Sequence, residues 1–390
     1  MKLTVPKSAF GKVAEPVCPT FCKHNIPYTK IQLPTSGITQ PEKSVQKYVR
    51  YNNKNQQVLM FLVIGGNGFL GGEIVSQLVS RGESVRVLSR RSVNGEVAGA
   101  EYCFGDVRDR KSLMSACLGV HTVFHTASIP SISVHWQPFY QTNVLGTQNV
   151  IDACIENKVR RLIYTSSASV TFDCTSQPAA DENLSYPKRW LAHYPHSKAI
   201  AEKLVLDVTG KSELLTCSLR PHLIIGTKDR HLIPRLLDRA KRGKLFRVGD
   251  GTNLIDIIFV ENAAAGHILA ADSLNNESSP VNGNAYFISQ GEPVNCWNWI
   301  DEVLLASGLP KVSKSISFRK AWYLGAILES WYKLFRLQGE PLMTRFLSAQ
   351  LAQTHYLNIT KAKKDFNYKP IIPMTEGMEK LKQFLKYNHQ

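Results

Sequence analysis

Phe61-Leu62-Val63-Ile64-Gly65-Gly66-Asn67-Gly68-Phe69-Leu70-Gly71 joins a short apolar run of buried-strand type to a glycine-rich turn. Glu73 to Ser80 then continues with apolar residues at helical spacing. Strand, glycine turn and helix, in that order, are the context a dinucleotide-binding fingerprint requires. The pattern fits Gly66-x-Gly68-x-x-Gly71 and Gly65-x-x-Gly68-x-x-Gly71 equally well. In either register the glycines allow a tight turn and close approach of backbone to a pyrophosphate. The helix start adds unpaired N–H groups and the positive end of its dipole. Taken alone, such a cluster serves as readily as a structural turn, so its meaning rests on the residues downstream.

About a hundred residues further on stand Thr165-Ser166-Ser167-Ala168-Ser169-Val170 and, about thirty residues later, Tyr194-Pro195-His196-Ser197-Lys198. A tyrosine and a lysine at i and i+4 share one helix face. A lysine cation beside a phenol favours the phenolate and is expected to lower its pKa, which makes Tyr194 a general acid/base. Ser167 is the candidate hydroxyl for a substrate carbonyl, although Ser166 and Ser169 are near neighbours and hydroxyls often only close turns. Together the three segments describe a dehydrogenase site.

The second strand, Val85-Arg86-Val87-Leu88, runs into Ser89-Arg90-Arg91. NAD-specific sites carry a carboxylate there for the ribose 2′-hydroxyl; here there is none. Arg90 and Arg91 offer guanidinium forks suited to a 2′-phosphate, so NADP(H) is the preferred cofactor and NAD(H) the secondary one. The competing reading of the two arginines is an exposed basic turn. Strands and helices alternate through Leu223-Ile224-Ile225-Gly226, a basic amphipathic helix from Leu232 to Arg242, a strand from Ile255 to Val260 and a helix from Asn262 to Leu274. The expected fold is α/β, a Rossmann-type doubly wound parallel sheet covered on both faces. A smaller, mostly helical C-terminal substrate-binding region completes the chain.

The ordered set Gly65 to Gly71, Gly105-Asp106-Val107-Arg108-Asp109, His125-Thr126-Ala127-Ser128, Asn143-Val144-Leu145-Gly146-Thr147, the serine stretch, Tyr194/Lys198 and Leu219-Arg220-Pro221 resembles the extended short-chain dehydrogenases/reductases. Within them it is similar to the 3β-hydroxysteroid dehydrogenase and sterol-4-carboxylate dehydrogenase group, from about Met60 to the C-terminus. Val248 to Asn253, Ala285 to Asn295 and Met343-Thr344-Arg345-Phe346 are similar to bacterial 2-alkyl-3-oxoalkanoate reductases. The resemblance implies that Ser167 polarises the substrate carbonyl, Tyr194 donates or accepts the proton, and Lys198 bridges Tyr194 and the nicotinamide ribose. It also implies that Asn143 holds the geometry, that Asp106 and Val107 flank the adenine, and that Thr126, Ala127 and Ser128 belong to the cofactor site. Relatives usually continue Tyr-Gly-Pro after the Arg-Pro strand, whereas this chain has Gly226-Thr227-Lys228. The organisation expected is a basic tail over 1–59, an NADP-binding catalytic domain over 60–225 and an interleaved substrate region over 226–390.

The 390 residues are 43% hydrophobic, enough for one large α/β unit. The eight cysteines are scattered without disulfide-like spacing and read as reduced thiols of a cytoplasmic protein. Cys18, Cys22 and His24 lack a fourth metal ligand, so no metal is expected. Nearly half of the formal charge of +16 lies in the tail. The remainder forms no basic, aromatic-interleaved stripe, so nucleic acid is not an expected partner. The tail lacks an apolar signal-peptide core and is expected to be poorly ordered, and Met60 at the first strand is a candidate native start. Ala321 to Leu337 carries an apolar stripe of Leu324, Ile327, Leu328, Trp331, Leu334 and Phe335. It is too short and too charged to span a bilayer; it reads as a core-facing helix, with an interfacial helix or lid at a membrane surface as the alternative. Trp136 is a candidate wall of the substrate pocket. A homodimer is the expected assembly.

Three functions fit these features. The first is 3-keto/3-hydroxy redox on a large apolar lipid, favoured as 2-alkyl-3-oxoalkanoate reduction, with a 3β-hydroxysteroid or sterol acid as close competitor. The second is a nucleotide-sugar epimerase or dehydratase, and the third a non-catalytic NADPH-sensing regulator. The joint presence of Ser167, Tyr194 and Lys198 favours catalysis.

Overall fold

The computed structural model describes residues 59–90 and 97–387. Arg91, the Cys18, Cys22 and His24 group, and the tail up to residue 58 lie outside the described residues. The glycine turn comes directly after β1 (Met60–Ile64), an almost wholly enclosed apolar strand. It pairs in parallel with β2 (Ser84–Ser89) on one side and β4 (Val120–His125) on the other. Outside β2 lies β3 (Ala100–Phe104); beyond β4 come β5 (Arg161–Thr165), β6 (Leu215–Pro221) and β7 (Asn284–Ile288). The order β7-β6-β5-β4-β1-β2-β3, parallel throughout, is the doubly wound sheet expected from the sequence. The strand order reverses beside β1, and ligands of such sheets bind in the crevice at that point.

Helices cover both faces. On one, α1 (Phe69–Ser80) places Ile74, Val75 and Leu78 against Ala263 and Ile268 of a later helix, Val260–Ser273. On the other, α2 (Arg110–Cys117), α3 (Gly146–Glu156) and α4 (His193–Leu206) bury Leu113, Ile151, Ala153 and Val205. With both faces covered, β1 is free to be almost continuously apolar, and β6 is buried along its whole length.

The C-terminal region departs from the expected pattern in two places. The strand expected from Ile255 to Val260 is two short strands, Leu254–Ile255 and Ile257–Phe259, that belong to different sheets. Asp256 lies between them, and its carboxylate accepts the Leu357 N–H at 2.8 Å, so one polar residue divides an apolar run. The second departure is the helix Phe318–Leu334, taken as α7 after α5 (Leu232–Lys241) and α6 (Val260–Ser273). Its inward face is Ala321, Gly325 and Glu329, and of the apolar stripe expected in the core only Leu328 packs on it, while Ile327, Trp331 and Leu334 face outward, exposed by 58%, 59% and 75%. The reason lies at the contact with α8 (Arg345–Ala352). A Cβ on Gly325 would stand 2.5 Å from the backbone of Thr344. Glu329 accepts the Arg345 N–H at 2.7 Å and pairs with its guanidinium at 2.7 Å. Close backbone approach and a satisfied ion pair fix the inward face, and the large apolar side chains are left outside. None of the described helices is long and apolar enough to cross a membrane.

Candidate active site

The glycine turn is shaped by its neighbours. Gly65 has φ +89°, and a Cβ there would stand 2.9 Å from Ala127 N and Thr126 Oγ1. On Gly71 a Cβ would collide with Gly65 O and lie 2.8 Å from Thr126 Oγ1; on Gly66 it would lie 2.7 Å from Val87. Gly68 N donates to Gly65 O at 2.8 Å, and Gly68 as N-cap brings no side chain to the first-turn N–H groups of α1. A cradle closed to side chains, ending at an uncapped helix start, suits a dinucleotide pyrophosphate. Phe69 and Leu70 open the helix, with Leu70 in the core. Thr126, Ala127 and Ser128 begin the loop after β4, where both Thr126 N and Oγ1 donate to Ile64 O at 3.0 Å.

At the end of β2, Asn67 Nδ2 donates to Ser89 Oγ at 2.7 Å, which ties the glycine turn to the position where a carboxylate would stand in an NAD-specific site. Arg90 is exposed. Asp106 is paired with Arg108 at 2.7 Å, and the Arg108 hydrogen bonds, with a smaller contribution from the Arg90 charge, hold its carboxyl below the usual range. Val107 is buried against Gly146, and its carbonyl accepts from Asn149 Nδ2 at 2.9 Å.

The catalytic candidates come from three elements. Tyr194, Lys198 and Glu202 stand at successive i, i+4 positions of α4. Ser167 caps the short 3₁₀ turn Ala168–Thr171 that leaves β5. Asn143 lies in a π-helical turn, Tyr140–Leu145, a type of bulge common at functional sites. Its Oδ1 accepts the Ile129 N–H at 2.8 Å and its Nδ2 donates to Ser197 Oγ at 2.9 Å. Ser197 Oγ donates in turn to Tyr194 O at 2.8 Å, so Asn143 fastens the loop after β4 to the first turn of α4.

Lys198 is almost sealed, with 2% of its surface exposed. Its Nζ donates to Thr165 O at 2.5 Å and lies 4.1 Å from the centroid of the Tyr164 ring. Burial brings its pKa down to about 7, against the opposing pull of the Glu202 carboxylate. Glu202 is itself fully buried. Burial resists its ionisation, but the charge and hydrogen bonds of Arg220, with Tyr186 and Ser166, keep it ionised and below its ordinary value. It accepts from Arg220 at 2.7 Å, Tyr186 at 2.7 Å and Ser218 at 2.8 Å. His125 and His267 are buried nearby with pKa values of about 3 and 4, lowered by burial and further by Lys198. Of these three bases, Lys198 is the one whose pKa lies near neutral pH.

Tyr194 differs from the sequence expectation. Its hydroxyl end is densely surrounded, and this burial raises the phenol above its ordinary value, opposed by a hydrogen bond with Ser167. Lys198 is held toward Thr165 and Tyr164, which leaves burial as the larger influence on the phenol. A phenol kept protonated beside a serine hydroxyl is set to give a proton to a carbonyl oxygen bound between them.

Sequence reasoning did not single out Glu202, His125 or His267. Glu202 was findable, one further i+4 step from Lys198. His267 was not, because its Nε2 meets Thr165 Oγ1 at 2.8 Å across 102 residues of sequence. Trp136 packs between Tyr140, His193 and His196, with ring centroids 5.0 to 5.8 Å away.

Residues 62–319 match the family model described as 3-beta hydroxysteroid dehydrogenase/isomerase. Among similar proteins, a 2-alkyl-3-oxoalkanoate reductase of Shewanella oneidensis is 40% identical over 330 residues, covering 83% of this chain and 85% of that protein. The decarboxylating sterol-4-alpha-carboxylate 3-dehydrogenase of Mus musculus is 37% identical over 82% of this chain and 89% of its own. A solved structure of UDP-glucuronic acid 4-epimerase from Bacillus cereus in complex with NAD superposes with a TM-score of 0.64 at 19% identity, over 85% of this chain and all of that one; that likeness is one of fold. The extent of the family match, and the identity shared with dehydrogenase and reductase relatives, make this chain a member of the 3-beta hydroxysteroid dehydrogenase/isomerase family of oxidoreductases.

Proposed function

We propose that the protein reduces the 3-keto group of a 2-alkyl-3-oxoalkanoate with NADPH. The observation that carries the reading is the hydrogen bond between Tyr194 and Ser167, with the buried Lys198 one turn further along α4, in a sheet whose first turn is the glycine cradle. Bound there by Gly65 to Gly71, Thr126 to Ser128, Asp106 and Val107, the nicotinamide cofactor supplies the hydride. Ser167 orients the carbonyl, Tyr194 protonates its oxygen, and Lys198 steers the cofactor ribose and the phenol with its charge. Asn143 keeps the loop and helix in register. Arg90, with Arg91, receives the 2′-phosphate, in the absence of a repelling carboxylate at the end of β2.

The substrate class is inferred from chemistry shared by the relatives' names. A 2-alkyl-3-oxoalkanoate and a sterol-4-alpha-carboxylate oxidised at C3 both place the reacting oxygen on the carbon next to one that bears a carboxylate. A sterol acid is thus the second reading, in the oxidative direction. Lipid entry suits the exposed apolar face of α7, which together with Lys333 and Arg336 would rest on an anionic membrane surface. The protein is read as a cytoplasmic homodimer, divided at about residue 225 into a cofactor and a substrate part.

NADPH oxidation by purified protein, with a long-chain 2-alkyl-3-oxoacid beside a 3-ketosteroid and then with NADH, tests this. Turnover of the oxoacid with higher kcat/KM for NADPH is expected. Turnover of the steroid alone moves the chain to the sterol branch, and equal kcat/KM for both cofactors removes the NADP(H) preference.

A further inference from the structure

A small apolar cluster, separate from the main core, joins the two catalytic segments to α7 and α8. Phe172 and Phe346 form its buried base, and Leu191, Ala192, Phe318 and Trp322 lie half-buried against it. Phe172 ends the 3₁₀ turn that Ser167 caps, and Ala192 is the N-cap of α4, two residues before Tyr194. The Phe172 ring meets Phe346 edge-on at 5.9 Å and packs on His355 at 5.0 Å. His355 is held in turn by His222, Nδ1 to Nε2 at 2.9 Å, and by the Gln350 carbonyl oxygen at 2.9 Å. Phe318 and Trp322, one turn apart on α7, meet edge to face at 5.6 Å. Farther along α7, the pair of Glu329 with Arg345, the residue before Phe346, fixes α7 on α8. The base is therefore rigid, while its aromatic rim on α7 keeps an open side. A half-buried aromatic is ordinary by itself; here it stands beside both segments that carry the assigned catalytic hydroxyls.

We propose that Trp322 and Phe318 are the wall on which an alkyl chain of the substrate packs, above the base of Phe172 and Phe346, and that they set the preference for chain length. An aromatic wall offers a large apolar area at little entropic cost, since each side chain has few rotatable bonds. Each methylene moved from water onto it is worth up to about fourfold in binding. The chain is remote from the bonds that change, so this binding is the same before and during reaction and is expressed in KM rather than kcat. The inference rests on the assignment of Ser167 and Tyr194 to the reacting carbonyl of a lipid, and neither Trp322 nor Phe318 is given a part in the chemistry.

The test compares Trp322→Ala and Trp322→Phe with wild type on 2-alkyl-3-oxoacids of increasing alkyl length. In the wild type kcat/KM is expected to rise with length. In Trp322→Ala the ratio of kcat/KM between the longest and the shortest chain should fall about tenfold or more, through KM, and Trp322→Phe should recover it to within about threefold. A ratio within about twofold of wild type, or a loss equal at every chain length, overturns the wall. Phe318→Ala, read in the same way, decides the matter if Trp322→Ala does not fold. Isothermal titration of the NADP⁺-loaded protein with hexadecanoate and octanoate needs no turnover. Tighter binding of hexadecanoate is expected in the wild type, and a Trp322→Ala protein that keeps the same difference overturns the wall. If the wild type reduces neither candidate substrate, the substrate reading fails while the titration still decides the wall.

Discussion

Helices α4 and α7 invert one another. On α4 two charged side chains, Lys198 and Glu202, are sealed in the interior, while on α7 three large apolar side chains, Ile327, Trp331 and Leu334, are turned to the surface. Globular proteins ordinarily do the opposite with both kinds of residue. Each inversion has a local physical cause: Glu202 is paired with Arg220 and Lys198 is bonded to Thr165, whereas Gly325 and Glu329 claim the inward face of α7. The buried charges lie where the chemistry is assigned, and the exposed apolar face is the one proposed above to meet a lipid surface. An inverted helix face is thus a pointer to function that average burial patterns hide.

The strongest way to break the comparison is to remove the support of the buried charge. Glu202→Ala leaves Arg220 buried without its partner and is expected to cost about 3–5 kcal/mol of stability, read by chemical denaturation. A loss below about 1 kcal/mol, no more than an exposed ion pair contributes, would mean that Glu202 is not a structural counter-charge.

Glu202→Gln keeps the shape and isolates the charge. Lys198 must be protonated to act, so activity is present below its folded pKa of about 7 and lost as pH rises through it. Removing the carboxylate takes away the influence that raises this pKa. The alkaline limb of the kcat profile is therefore expected to move to lower pH. A limb that stays in place, or moves up, contradicts the assignment of Lys198.

The α7 side of the comparison predicts almost no change in stability. Replacing both Ile327 and Trp331 with Asp on an exposed face is expected to alter stability by no more than about 0.5 kcal/mol per site. Flotation with anionic vesicles should nevertheless be lost, and retained flotation would take the membrane role away from this face. A further effect concerns cofactor choice: Arg90→Ala should reduce the NADPH preference by about tenfold, equivalent to about 1.4 kcal/mol. An unchanged NADPH/NADH ratio would return Arg90 to an exposed basic turn.

Legibility in the sequence divides along the same line. The glycine turn, the strand before it and the Tyr194/Lys198 pair are local features whose spacing fixes their geometry, so the parallel sheet could be anticipated. The direction in which α7 faces depends on Thr344 and Arg345, and the break at Asp256 depends on Leu357, about a hundred residues away. The His222–His355 contact spans 133 residues. Periodicity identifies an apolar stripe but not which neighbour the opposite face will meet. The raised Tyr194 phenol was missed for a related reason, since i, i+4 spacing places Lys198 near the phenol but does not show that Thr165 O holds the ammonium.

The most direct test of the central claim is single-turnover oxidation of NADPH with a 2-alkyl-3-oxoalkanoate by wild type and by Tyr194→Phe. Loss of the proton donor should lower the rate by about 10²-fold or more while NADPH binding stays within about twofold. A Tyr194→Phe enzyme that turns over at the wild-type rate would contradict the assignment of proton transfer to Tyr194.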